Sequence, residues 1–94
     1  MEFKKVGIIG VGTMGSNIAI LCARAGIETL IADENENNLN YGFENIQKFL
    51  SVGVSKEKLT ETQKKTIEDS IHKVTSMQAL NDCEIIIEAI VEDI

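Results

Sequence analysis

Three glycines and one aspartate carry the clearest chemistry in the sequence. Gly10-Val11-Gly12-Thr13-Met14-Gly15 is a G-x-G-x-x-G run that follows an apolar stretch and opens a helix-spaced one. In such a turn Gly10 permits the tight bend, and Gly12 has no side chain to keep a pyrophosphate from the backbone. Gly15 lets helix and strand approach closely. Amide N–H groups of Gly12, Thr13, Met14 and Gly15 then point at phosphate oxygens, with the positive helix end behind them. Asp33 closes the next apolar run, where a carboxylate accepts hydrogen bonds from adenosine ribose hydroxyls. The same charge repels a 2′-phosphate, so the pattern favours NAD over NADP. S-adenosylmethionine and flavin sites share a glycine turn and an acid after the second strand, and stay open at this point. A Walker loop is excluded because the sequence has no Gly-Lys-Ser/Thr.

Other reactive side chains are sparse. Cys22 and Cys83 form no C-x-x-C pair and have no histidine at metal-ligand spacing, so they read as small buried hydrophobes of a reducing compartment. His72 is the sole histidine and begins an apolar run. Ligands of open α/β sheets bind outside the carboxyl ends of the strands, so His72 is expected at the opposite rim. Glu84 and Glu88 flank the last apolar run without the spacing of a catalytic acid pair. No catalytic residue and no metal site is expected.

The elements that must position this site follow from periodicity. Residues 4–9 read as a first strand, and Met14, Ile18, Leu21, Cys22 and Ala25 as the apolar face of a helix that Gly26 ends in a left-handed turn. Residues 27–32 form a second strand, and the polar residues 33–38 a loop. Leu39, Phe43, Ile46 and Leu50 stripe a second helix supported by a Glu44–Lys48 pair, broken at residues 51–55 by Gly53. Thr60 and Gln63 have capping-box spacing for a third helix, with Glu61–Lys65 as another pair. Residues 71–75 give a third strand, 76–80 one helical turn, Asn81-Asp82 a turn, and 84–91 a nearly continuous apolar strand. The expectation is an α/β fold, a partial Rossmann-type parallel sheet of order 3-2-1-4. A helical hairpin at about residues 36–70 is inserted between strands 2 and 3 and projects from it.

Composition bounds the rest. The 94 residues are 44% hydrophobic and 26% charged, without tryptophan or proline, which fits one small globular unit. The net charge of −6 and the lack of a basic stripe disfavour nucleic acid. Lys4 and Lys5 before an apolar stretch imitate a secretion signal, but glycines and polar residues interrupt it. No apolar run approaches the roughly 18 residues of a membrane span. The expected location is cytoplasmic, with no membrane segment.

Three stretches together resemble the amino-terminal part of the 3-hydroxyacyl-CoA dehydrogenase family, including the 3-hydroxybutyryl-CoA enzymes. They are Val6-Gly-Ile-Ile-Gly-Val-Gly-Thr-Met-Gly-Ser-Asn-Ile-Ala19 with Asp33, then Lys58-Leu-Thr-Glu61, then Ile87-Glu-Ala-Ile-Val-Glu92. The resemblance covers residues 1–94 and implies NAD(H) bound by the glycine loop and Asp33, with Ala89 and Glu92 beside the nicotinamide half. It implies an acyl-CoA substrate whose coenzyme A portion lies along the helical excursion, where Lys56 is a candidate phosphate contact. The reaction it implies is NAD-linked oxidation of 3-hydroxyacyl-CoA to 3-oxoacyl-CoA in fatty acid or butanoate metabolism. The family's histidine base, its glutamate, and the assisting serine and asparagine all fall after the equivalent of Glu92, as does the helical carboxy-terminal domain. The 94 residues alone are therefore expected to be inactive, as the NAD-binding portion of an enzyme or, alternatively, a stand-alone non-catalytic NAD-binding or regulatory module. The strand at 84–91 would present an apolar edge that invites self-association.

Overall fold

A computed structural model describes residues 4–10 and 12–89. The elements run β1 (Lys5–Ile9), α1 (Thr13–Arg24), β2 (Glu28–Ala32), α2 (Glu36–Ser55), α3 (Glu61–Asp69), β3 (Ile71–Val74), a 3₁₀ turn (Met77–Leu80) and β4 (Ile85–Glu88). The four strands are parallel in the order β3-β2-β1-β4, as expected. Right-handed crossovers that step from β1 to β2 to β3 place their helices on one face. The return to β4 uses the other face, so β1 sits where the winding reverses.

Side-chain alternation divides the core accordingly. Val6, Ile8, Ile31 and Ile71 point to the helical face and meet Ala19, Ile20 and Ala23 of α1, Leu39, Ile46 and Leu50 of α2, and Ile67 of α3. On the other face Leu30 and Ala32 pack under Leu80 of the 3₁₀ turn, with Ile9, Val74, Met77 and Cys83 around them. That face has a thinner cover, and the protein is a slab only 21 Å through its short axis.

Four expectations about the helices change. The buried face of α1 is Gly15, Ser16, Ala19, Ile20 and Ala23, whereas Met14 and Leu21 are 55% and 66% exposed and Ala25 is exposed. Apart from Ile20 the inner face is made of small residues, which lets the helix lie close over the sheet, while Met14 and Leu21 remain outside. Gly53 does not break α2, which continues to Ser55. The hairpin does not project either: Leu59 and Ile67 fold back into the main core beside α1. The helix pairs also differ, since Lys64 meets Glu68 at 2.8 Å and Lys65 meets Asp69 at 3.8 Å in place of the expected Glu61–Lys65 and Glu44–Lys48 contacts.

Local chemistry fixes the helix ends. Asn35 caps α2 by accepting from the Asn38 N–H, and Thr60 with Gln63 forms the expected capping box on α3. α1 ends in a Schellman motif: the Ile27 N–H donates to the Cys22 carbonyl and the Gly26 N–H to that of Ala23, with Gly26 at φ 82°. α2 ends the same way, through Lys58 to Gly53 and Glu57 to Val54, but here the left-handed residue is Glu57 at φ 60°. A side chain at this position costs about 1 kcal/mol that glycine avoids. Glu57→Gly is therefore expected to raise stability by about 1 kcal/mol in urea unfolding. A loss of stability would contradict the motif.

The outer strands differ. β3 carries Lys73, whose Nζ donates to Asn40 Oδ1 (3.2 Å) and lies 5.1 Å from the Phe43 ring centre. β4 is shorter than the expected 84–91: its ladder runs over Ile85–Glu88, the Ala89 N–H adds one bond to the Ile9 carbonyl, and residues 90–91 lie outside the described residues.

Candidate dinucleotide site

The carboxyl ends of β1, β2 and β4 lie side by side, with Ile9 in register with Ala32 on one flank and Glu88 on the other. The glycine loop leaves this rim from the middle strand. Gly10 adopts φ 93°, a left-handed conformation natural to glycine, while its N–H stays bonded to the Ala32 carbonyl at 2.9 Å. The chain thus turns out of the sheet in a single residue. Gly12 is the N-cap of α1, its carbonyl accepting from the Ser16 N–H at 2.9 Å.

Two features of this helix start suit an anion. No side chain caps it and its first turn holds no acid, so its orphan N–H groups and positive dipole end are not internally answered. A Cβ built on Gly12 would meet nothing within 4 Å, so the space in front of the backbone is open. Gly15 is the reverse case. A Cβ there would fall on the Gly10 carbonyl oxygen, with the Gly10 carbon at 3.1 Å and Ala89 Cβ at 3.5 Å. Gly12 leaves room for a ligand, and Gly15 leaves room for the loop itself.

The other expected contacts divide into near and far. Asp33 follows β2 on the same rim, half-buried, with its Oδ1 accepting the Asn35 N–H at 2.9 Å. A carboxylate has further acceptor positions beyond that bond. Ala89 is buried at the end of β4, against Gly15. Thr13 and Met14 open α1, and Met14 is exposed there. Glu92 lies outside the described residues. Lys56 is the C-cap of α2. The 20 residues of that helix, at 1.5 Å each, carry Lys56 about 30 Å from the Asp33 rim. It lines a separate pocket of about 200 Å³ with Arg24, Lys58, Phe49, Val52 and Leu59.

His72 lies on the amino-terminal side of the sheet, its Nε2 3.6 Å from Glu28 Oε1 at the start of β2, as its place in the sequence implies. Burial pushes both Cys22 and Cys83 thiols up from their ordinary range, which keeps them protonated and unreactive near neutrality. Among the described residues no group of His, Cys, Asp or Glu could hold a metal, and no helix is long and apolar enough to cross a membrane.

One supporting residue escaped the reading of the sequence. Gly7 sits mid-strand in β1, where a Cβ would meet Leu80 Cδ2 at 2.9 Å and Cys83 Sγ at 3.1 Å. Its absence of a side chain lets the 3₁₀ turn press onto the sheet just before β4 starts. A glycine inside an apolar strand was the available signal.

Known proteins share this arrangement. The profile of the family described as "3-hydroxyacyl-CoA dehydrogenase, NAD binding domain" matches residues 5–94. A probable 3-hydroxybutyryl-CoA dehydrogenase of Deinococcus radiodurans is 37% identical over 89 residues, 95% of this chain and 32% of that protein. The fatty acid oxidation complex subunit alpha of Idiomarina loihiensis is 32% identical over 98% of this chain and 13% of its own length. The crystal structure of Mycobacterium tuberculosis FadB2 superposes with a TM-score of 0.95 at 35% identity, covering 99% of this chain and 33% of that one. The chain thus spans about a third of the length of the dehydrogenase it matches.

Proposed function

The chain belongs to the 3-hydroxyacyl-CoA dehydrogenase family, whose NAD-binding domain it carries, and from that premise we propose how its residues share the work. The observation that carries the reading is the uncapped, unobstructed start of α1 at the winding reversal, with Asp33 on the neighbouring strand end. Gly10, Gly12, Thr13, Met14 and Gly15 wrap the pyrophosphate of NAD, the backbone N–H groups of the first turn donating to it. Asp33 accepts from the adenosine ribose, and Ala89 and Glu92 border the nicotinamide half. Bound there, NAD supplies the hydride acceptor for oxidation of a 3-hydroxyacyl-CoA to the 3-oxoacyl-CoA in the whole enzyme. Lys56, at the far end of α2, is a contact for the coenzyme A phosphates. These 94 residues bind the cofactor without turnover, because His72 sits on the wrong rim to serve as base. The reading places the protein in the cytoplasm, in keeping with its two free thiols. A second copy of the chain is a further partner, through the outer edge of β4.

The test is a titration of the chain with NADH, NADPH and adenosine diphosphate ribose, followed by nicotinamide fluorescence and thermal shift. NADH and the ribose fragment at 100 times their dissociation constants are expected to add about 2.7 kcal/mol. NADPH at the same concentration is expected to add little. Equal stabilisation by NADPH would sink the role of Asp33. Gly12→Ala is expected to keep stability within about 0.5 kcal/mol, because its Cβ meets nothing. NADH affinity should still fall about tenfold as the methyl takes pyrophosphate space. Unchanged affinity would place the pyrophosphate elsewhere.

A further inference from the structure

Two helices start on the cofactor rim, and their N-termini are finished in opposite ways. α1 begins at Gly12 with no side-chain cap and no acid in its first turn. α2 begins at Asn35 and is answered from within. The Asn35 side chain accepts the Asn38 N–H at 3.1 Å, its carbonyl accepts the Leu39 N–H at 3.1 Å, and Glu36 opens the first turn. Only Glu34 separates this cap from Asp33. The Asn35 N–H donates to Asp33 Oδ1 at 2.9 Å, the one side-chain hydrogen bond that holds this carboxylate among the described residues. Asn35 therefore touches both the carboxylate at the end of β2 and the helix start behind it.

Resting on the reading above that Asp33 receives the adenosine ribose of NAD, we propose that Asn35 is a positioning residue that sets the choice between NAD and NADP. It acts in two ways through one side chain. Asn35 is exposed, and its cap bonds pin it to α2, which fixes the N–H that holds the Asp33 carboxylate in place. That N–H occupies Oδ1, and the remaining acceptor positions of the carboxylate serve the ribose hydroxyls. By accepting the Asn38 N–H, Asn35 also removes an orphan donor from the positive end of α2. A 2′-phosphate on the ribose would arrive beside that helix start, where free N–H groups and the dipole favour an anion. The cap leaves it fewer donors, and Asp33, Glu34 and Glu36 set negative charge there instead. One rim thus carries a helix start open to the pyrophosphate and another closed to a further phosphate.

A purely structural role makes a different prediction. A cap that served stability alone would change the folded fraction, and so the NADH and NADPH affinities by the same factor. The ratio of the two affinities is blind to that change and reads only the site.

Titration of the chain with NADH and NADPH by nicotinamide fluorescence tests this in Asn35→Ala, Asn35→Gly and Asn35→Ser, with far-UV circular dichroism confirming that each is folded. In Asn35→Ala NADH affinity is expected to fall about fivefold, the equivalent of a typical lost cap, while NADPH affinity holds or rises. Asn35→Gly keeps a tolerated N-cap backbone without the accepting side chain. It should narrow the ratio likewise, and it serves if Asn35→Ala fails to fold. Asn35→Ser, whose hydroxyl can accept the same N–H, should restore the ratio of the parent. A parent that binds NADH no better than NADPH, or binds neither, would overturn the reading of Asp33 and this proposal with it. A parent that prefers NADH, with the same ratio in Asn35→Ala and Asn35→Gly, would keep Asp33 and overturn the role of Asn35. A narrowed ratio that Asn35→Ser leaves narrowed would overturn the capping bond as its cause.

Discussion

Gly15→Ala is expected to lower stability by about 3 kcal/mol or more, because the new methyl has no place to go. Its Cβ would coincide with the Gly10 carbonyl oxygen and crowd the carbon behind it. That carbonyl belongs to a residue whose N–H is bonded to Ala32, so backbone on both sides of the contact must shift. Small single domains have only about 5–15 kcal/mol of stability in total. The variant should therefore unfold at clearly lower urea or lack a cooperative transition. Gly7→Ala provides the comparison, since it meets the ends of Leu80 and Cys83 side chains, which can yield; about 1–2 kcal/mol is expected. Gly12→Ala should cost least of the three. An ordering in which Gly15→Ala is the mildest would refute the close approach of loop and helix.

The second large effect is on cofactor choice. On the ribose role proposed for Asp33, Asp33→Ala is expected to remove charge-assisted hydrogen bonds and weaken NADH binding roughly 10–100-fold. It also removes the bond that Oδ1 accepts from the Asn35 N–H, so stability falls by about 1 kcal/mol. Asp33→Asn separates the two roles, because an asparagine oxygen can still accept within the turn while carrying no charge. Asn at this position should keep the stability of the parent and narrow the preference for NADH over NADPH. If the ratio of the two affinities in Asp33→Asn equals that of the parent, the carboxylate does not select the cofactor.

The sheet and its loop were legible because each depends on local signals that agree. The strand order follows from alternating strands and helices, and the sites of Gly10, Gly26, Thr60 and Gln63 follow from turn and cap chemistry alone. The misreadings share one cause: they needed knowledge of a neighbour. Met14 and Leu21 look like a buried stripe until the sheet is in place and the covered face of α1 proves to be Gly15, Ser16, Ala19, Ile20 and Ala23. Gly53 looks like a stop until Leu59 packs over it, with a Cβ on Gly53 in ordinary contact at 3.6 Å. Glu57 takes the left-handed turn that periodicity would assign to a glycine. Gly7 reads as one more small residue until Leu80 arrives on it. Within the candidate site, the rim that joins Gly15, Asp33 and Ala89 was readable from topology, whereas the roughly 30 Å separating Lys56 from it became clear only with the length of α2.

The pairing of β1 with β4 has a kinetic consequence. β1 pairs with β4 across α1, β2, α2, α3 and β3, so the contact that seats Ala89 against Gly15 joins segments far apart in the sequence. Closing so long a loop is slow relative to forming the neighbouring β1–α1–β2 unit. During synthesis that unit can assemble on the ribosome while residues 85–89 are still to be made. The glycine loop is thus drafted early and locked late, and NAD acts as a ligand of the finished sheet, holding the chain folded without speeding its arrival there.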